Sequence, residues 1–358
     1  MTLLDRTFDL LQRSVDEGLV PGAVAAVGTG AGRLRAGCYG VAQQEPQSRP
    51  LKEDMLFDVA SLTKVVVTTS LALLAIERGD LFLDQRLADV LPVFGGAGKD
   101  AVTVRQVMGH TAGLPPWREL TPGATKRASM LQALWDAPLD RPPGTAVVYS
   151  DVGFMALAEA LVEIGGQSLD TLATRDLFEP LGMRDSLFSP GKRLQARCVS
   201  TEVVAERGGA VTGEVHDERA AQLGGVSGHA GLFSTLADLE KFARMWLGKG
   251  AADGTRVLSP ASVAAAVRDQ TRGIDPGARR GLGWVLQPNG FWPAADLVSP
   301  SGYSHTGFTG TSLVIDPERN LYAILLTNRV HPTRGGGSAE RIRRLRARFH
   351  NAAWAELS

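Results

Sequence analysis

Apolar runs with strand character lie at the two ends of this chain, and helical patterns fill the stretch between them. Near the start, AVAAVGTG and LRAGCYGVAQ flank Gly30, Ala31 and Gly32, the pattern of an antiparallel hairpin. Near the end, SLVIDP and LYAILLTN flank a turn at Asp316-Pro317-Glu318-Arg319-Asn320. Two hairpins far apart in sequence can join into one sheet. Terminal helices then cover its faces, and the middle forms a helical lobe. Leu3, Leu4, Phe8, Leu11 and Val15 recur at helical spacing, and Ala339–Glu356 reads as a closing helix. The fold class expected is α/β of the α+β type: an antiparallel sheet flanked by helices, plus a mainly helical domain. Residues 1–57 and 225–358 are assigned to the sheet domain and 58–224 to the helical one.

Within the middle stretch, SLTKVVVTTSLALLAIERGDL is apolar enough for a buried helix, which Gly79-Asp80 ends. MLQALWDAPL, DVGFMALAEALVEIGG and LDTLATRDLFEPLGM are further helices, and TEVVAERGGAVTGEVHDERA reads as turns and short strands. The 38 basic residues equal the 38 acidic ones, so no global basic field draws in nucleic acid or an anionic membrane. Arg341, Arg343, Arg344, Arg346 and Arg348 do cluster, and read as the solvated face of the last helix. Asp5, Arg6 and Asp9 interrupt any signal-like apolar run, and no stretch reaches the roughly 18–20 apolar residues that span a bilayer. Cys38 and Cys198 have no metal-like spacing and fit a reducing compartment. The expected location is cytoplasmic, or periplasmic or extracellular for a processed form.

Three segments carry chemistry. Ser61-Leu62-Thr63-Lys64 opens a helix, and residues three apart share a face, so Lys64 can reach the Ser61 hydroxyl. A serine hydroxyl is a weak nucleophile until a base takes its proton, and a lysine whose pKa is lowered can serve. Free backbone N–H groups at the helix start suit an oxyanion. Tyr149-Ser150-Asp151 offers a phenol that could share the proton relay. His305-Thr306-Gly307 precedes Phe308 and a strand at Thr311–Asp316. Gly307 would let a substrate lie close along the strand edge, with the Phe308 N–H facing a carbonyl oxygen. Each segment alone is a commonplace: a helix cap, a buried aromatic, a turn into a strand.

Together and in this order, the three segments resemble the serine β-lactamase and penicillin-binding-protein superfamily. The likeness is strongest to the class C β-lactamase-related esterases, D-aminopeptidases and DD-peptidases. Phe57-Asp58-Val59-Ala60 before Ser61 looks like the family's F-x-x-A-S lead-in. Val107-Met108-Gly109-His110-Thr111-Ala112-Gly113-Leu114 is similar to L-L-x-H-T-S-G-L, and Pro143-Gly144 before Tyr149-Ser150 to P-G-x-x-x-x-Y-S. Gly228 to Thr235 is similar to the G-G-L-x-S-T stretch, so the resemblance covers roughly residues 15–335. It implies an antiparallel sheet with helices on both faces, a helical domain, and a site in the cleft between them. It implies that Ser61 is acylated, that Lys64 and Tyr149 handle protons, and that the N–H groups of Ser61 and Phe308 form the oxyanion hole. Asp151, His305, Thr306 and Gly307 then contact substrate.

Two departures bear on that substrate. Asp151 stands where class C enzymes have Asn, and His305 where they have Lys. An ionised Asp151 cannot donate to a substrate amide, and His305 is only partly charged at neutral pH. Asp151 could pair with Lys64 and raise its pKa, or hold a substrate ammonium. The expected activity is hydrolysis of an ester, or of a peptide of D-amino-acid or peptidoglycan type, with weak or no β-lactamase action. A second reading is a covalent penicillin-binding or muropeptide-sensing protein with slow turnover. No cofactor is implied. Partners are small-molecule or peptide substrates such as an ester, a D-amino-acid amide, a muropeptide or a β-lactam, and not nucleic acid. His110 reads as part of a structural turn, and His216, Asp217 and His229 lie in a loop that can line the cleft, without metal-ligand spacing. Trp117, Trp284 and Trp292 read as core or cleft wall, and Asn328-Arg329-Val330-His331-Pro332 as a strand-end loop.

Overall fold

Antiparallel pairing joins the two distant hairpins into one seven-stranded sheet in the computed structural model, which describes residues 3–288 and 295–357. Its strands are β1 (Gly22–Thr29), β2 (Gly32–Gln43), β3 (Arg49–Pro50), β4 (Val285–Leu286), β5 (Tyr303–Thr306), β6 (Ser312–Asp316) and β7 (Leu321–Thr327). They run in the order β4-β5-β6-β7-β1-β2-β3. The seam between the hairpins is β1 against β7, with Ala26 opposite Ile324. Helices that frame the sheet and site include α1 (Asp5–Asp16), α2 (Ser70–Arg78), α3 (Asp151–Gly165), α4 (Leu236–Leu247) and α5 (Ser338–Glu356).

Both central strands are apolar throughout because both faces are covered. Ala23, Ala25, Val27 and Leu325 meet α1 and α5 through Phe8, Leu11, Ile342, Leu345 and Phe349. Val24, Ala26, Ile324 and Leu326 belong to the other cluster, with Leu239, Phe242 and Trp246 of α4. Burying each such side chain contributes about 1.5–3 kcal/mol. Glu356 ties the terminal helices together, accepting from the Thr7 N–H at 2.8 Å and the Thr7 hydroxyl at 2.6 Å. No single helix among the described residues is long and apolar enough to cross a membrane.

A separate three-stranded sheet lies outside the large one. Leu232–Ser234 pairs with both Phe57–Asp58 and Leu187–Phe188, which anchors the chain just before Ser61. The helix that follows Ser61 is buried as its composition requires, and Gly79 ends it in the left-handed region. Its first turns differ from the expected α-helix: Lys64–Thr69 is π-helical, which coincides with five β-branched residues in a row, Val65 to Thr69.

Two readings are corrected. Arg346 is not on the solvated face of α5 but fully buried, because it shares a stripe with Ile342 and Phe349 that faces the sheet. His305 and Thr306 do not form a turn into a strand; they are the end of strand β5, paired with β6. Trp117 and Trp284 divide between the two places expected of them: Trp284 is core, and Trp117 is half exposed and lines a hollow beside Ser61. Trp292 lies outside the described residues.

Candidate active site

Ser61 follows Ala60, whose φ of 48° puts a non-glycine residue in the left-handed region. Asp58 fixes this turn. Its carboxylate, fully buried, accepts from the Ala60 N–H at 2.8 Å and the His216 N–H at 2.7 Å. Its carbonyl accepts from Thr309 Oγ1 at 2.7 Å. One residue therefore ties the turn to the loop after β5 and to the His216 loop. Burial raises the Asp58 pKa, against the pull of those two N–H donors.

Lys64 lies one helical turn on, with Nζ 3.2 Å from Ser61 Oγ and 3.0 Å from the His229 carbonyl it donates to. Its ammonium pairs with Asp151 at 2.7 Å and sits 4.8 Å from the centre of the Tyr149 ring. Burial alone would push the Lys64 pKa down, but the Asp151 charge and Tyr149 outweigh it, leaving Lys64 above the ordinary lysine value. The expectation that Asp151 pairs with Lys64 therefore matches the geometry.

Tyr149 and Asp151 are placed by the start of α3. Ser150 caps that helix, accepting from the Gly153 N–H at 3.2 Å and donating to the Pro115 carbonyl at 2.6 Å. His110 accepts from the Ser150 N–H through Nδ1 at 3.0 Å, and its ring packs 4.6 Å from that of Tyr149. The Val148 N–H donates to the His110 carbonyl at 2.8 Å. The segment around His110 is thus the splint that holds the tyrosine. Burial, then the positive charges of Arg280 and Lys64, keep His110 well below the usual histidine pKa.

On the sheet side, among the described residues the short edge strand β4 meets β5 at Tyr303 and Ser304 alone, so His305 and Thr306 extend beyond it. His305 donates through Nδ1 to the Thr306 carbonyl at 2.9 Å. Burial, then Lys64 and Arg280, hold its pKa well below the usual value, so it is neutral at pH 7 rather than partly charged. Gly307 is needed for a reason the sequence did not disclose: a Cβ there would overlap Thr311 Oγ1 and the Val59 carbonyl. The close approach is made by the chain's own backbone, just ahead of Ser61. Arg346 grips this corner, donating to the Gly307 and Thr311 carbonyls at 2.7 Å each. In a trans peptide the N–H points opposite to the C=O, so binding the Gly307 carbonyl inward turns the Phe308 N–H outward. Among the described residues, the N–H groups of Ser61 and Phe308 have no hydrogen-bond partner.

Ser61 thus lies between two hollows. One, of about 350 Å³, is lined by Tyr149, Arg280, His305, Thr306, Gly307 and the inner side of α5. The other, of about 260 Å³, is lined by Trp117, Asp151, His216, Asp217, His229 and Arg334. His216 and His229 belong to separate pairs there, with Glu202 at 3.1 Å and Asp217 at 2.9 Å. No group of three or more potential metal ligands occurs among the described residues. Arg329, in the strand-end loop after β7, lies against Phe308 and donates to its carbonyl at 2.6 Å. Sequence reasoning missed Asp58, Arg280 and Arg346. Only Arg346 left a signal, its spacing from Ile342 and Phe349.

Comparisons with known proteins give the family and the fold. The beta-lactamase family matches residues 8–348. An N-acetylmuramyl-L-alanine amidase of Bacillus subtilis (strain 168) is 30% identical, over 92% of this chain and 81% of its own. An Escherichia coli (strain K12) protein, whose name proposes D-alanyl-D-alanine carboxypeptidase activity, is 30% identical over 77% and 69%. Two solved structures share the fold. A penicillin-binding-protein homologue from Caulobacter crescentus has TM-score 0.76 and 23% identity over 99% of both chains. EstCE1, a hydrolase with promiscuous acyltransferase activity, has TM-score 0.75 and 21% identity over 95% and 97%. On the extent of these matches, the chain belongs to the beta-lactamase family.

Proposed function

We propose that this serine hydrolase of the beta-lactamase family works through an acyl-enzyme on Ser61. The observation that carries the reading is the contact of Ser61 Oγ with Lys64, itself against Tyr149, beside two unpartnered N–H groups. Ser61 Oγ attacks the substrate carbonyl, and its proton passes to the coupled Lys64–Tyr149 unit as the O–C bond forms. The oxygen anion lies between the N–H groups of Ser61 and Phe308. On collapse the C–O or C–N bond breaks and the leaving group takes the proton. Water then attacks the acyl carbon, gives its proton to the same unit, and frees the acid and the Ser61 hydroxyl.

The substrates are small molecules or peptides. Two relatives carry names for amidase and carboxypeptidase action. We bring this chain a D-amino-acid or peptidoglycan-derived peptide on that basis, or an ester, with Asp151, Thr306 and Gly307 along the bound chain. One observation favours slower turnover: Asp151 favours the ammonium form of Lys64, so only the small neutral fraction of it can take the proton at neutral pH. A covalent binding or sensing role, with an adduct that clears slowly, follows if deacylation is the step that suffers.

The test is a panel of short-chain nitrophenyl esters, D-amino-acid amides, muropeptides and a chromogenic cephalosporin, run on wild type and Ser61→Ala. Turnover of at least one class is expected, falling by about 10⁴-fold or more in the variant. Equal turnover by both proteins excludes the mechanism.

A further inference from the structure

Two of the oxygens around Lys64 Nζ, those of Ser61 and Asp151, belong to side chains of the site. Another is the backbone carbonyl of His229, 3.0 Å away. It is offered by a stretch with glycines at 224, 225, 228 and 231, which has little stiffness of its own. This stretch docks on the helix of Lys64 to either side of that carbonyl. The Gly228 carbonyl accepts from Thr68 Oγ1 at 2.7 Å, and the Leu232 N–H donates to Thr63 Oγ1 at 3.2 Å. Between those points the backbone is held through the His229 ring. Its Nε2 lies 2.9 Å from Asp217 Oδ1, and its Nδ1 lies 2.9 Å from Ser227 Oγ.

His229 and Ser227 are both buried. A buried polar ring is tolerated where its nitrogens are bonded, and a ring bonded at both ends cannot turn. Burial works to raise the Asp217 carboxyl, but the His229 ring, the Ala220 N–H and Arg219 hold it below the usual carboxylate range, so it is an anion at neutral pH. An anion only accepts, so Nε2 carries a proton toward Asp217. With both nitrogens engaged inside the protein, the ring has none left for substrate, although it lines the second hollow. Asp217 is fixed in turn, because its Oδ1 also accepts from the Ala220 N–H at 2.8 Å and caps the short helix Glu218–Gln222. Its neighbour His216 gives its N–H to Asp58, which fixes the turn before Ser61. Two adjacent residues thus reach the turn of the nucleophile and the acceptor of the lysine by separate routes.

We infer that Asp217 and His229 are positioning residues of this site: the pair sets the His229 carbonyl, and through it the aim of Lys64 Nζ at Ser61 Oγ. The inference rests on the hydrolase reading and adds to it two residues that act through Lys64.

The test compares His229→Phe with wild type. Phenylalanine keeps a ring and leaves Asp217 on its helix cap, but loses both hydrogen bonds. With a short-chain nitrophenyl ester, kcat should fall about 10–100-fold while KM stays within about 2-fold, since a misaimed lysine slows the chemistry and not the binding. Asp217→Asn keeps an oxygen that can accept from both His229 and Ala220, and should lose only about 3-fold, whereas Asp217→Ala should match His229→Phe. A folded His229→Phe protein, judged by its urea melt, overturns the role if kcat stays within about 2-fold of wild type or if the loss lies in KM alone. Should His229→Phe fail to fold, Asp217→Ala decides by the same criteria. Failure of wild type to turn over the ester counts instead against the hydrolase reading. The crystal structure of the variant then judges the pair: Lys64 Nζ should lie out of hydrogen-bond reach of Ser61 Oγ, and an unmoved lysine overturns the inference.

Discussion

Asp151 sets the state of Lys64 before any substrate arrives. At 2.7 Å its carboxylate outweighs the burial that would otherwise favour a neutral amine. A lysine held above its ordinary pKa is a poor base at neutral pH, so kcat/KM for a nitrophenyl ester should rise into the alkaline range. Asp151→Asn removes the negative charge, and burial then lowers the Lys64 pKa. The rising limb should move to lower pH by about 1–3 units. A profile that stays in place would mean that Lys64 does not carry the proton. This pairing was legible in the sequence, because both residues belong to motifs that the family brings together. Arg280 and Asp58 were not. Arg280 stands out only when its side chain is seen buried with Nε and Nη1 unpartnered, and Asp58 matters through its own turn at Ala60 and through His216 and Thr309 from distant segments.

At the scale of elements, the end of β5 and the turn before Ser61 form one unit. The Val59 carbonyl accepts from Thr311 Oγ1 at 3.0 Å, Asp58 accepts from Thr309, and Gly307 fits only because it has no side chain. Gly307→Ala should push the strand end away from the turn. Overpacking of this kind costs about 1–3 kcal/mol of stability. Activity should suffer more, by about 100-fold, since a displacement near 1 Å misaligns the oxyanion donors. Ester kinetics beside a urea melt check this, and unchanged kcat in a destabilised variant would show that the unit does not position the site. The sequence made both motifs visible but not this steric reason for the glycine: one neighbour it must clear is 248 residues earlier in the chain, from Gly307 to Val59. The π-helical turn at Lys64–Thr69 was likewise hidden, since periodicity alone does not separate it from an α-helix.

For the whole molecule, the most telling property is the number of histidines buried in their neutral form. His110, His305 and His350 are fully buried, and burial is the first cause of each lowered pKa, which for His350 reaches about 3. Unfolded, each would titrate near 6.5. Below that pH the unfolded chain binds protons that the native one does not. The stability these groups contribute is present above about pH 6.5 and is lost as pH falls toward their native pKa values. Each contributes a slope of about 1.4 kcal/mol per pH unit. Urea midpoints should therefore drop between pH 7 and pH 5, with a shallower slope in His350→Gln. A midpoint independent of pH over that range would contradict the assignment. The joining of two distant hairpins into one sheet was legible from where the strand-like runs lie. The burial of these histidines was not, because a lone histidine in sequence reads equally as surface or core. Catalysis by this molecule stands on Ser61 Oγ being the acylated atom. Intact-mass and peptide-map spectrometry after reaction with a fluorophosphonate test it most directly. One adduct on Ser61 in wild type and none in Ser61→Ala is the expected result, and labelling that survives the substitution would contradict it.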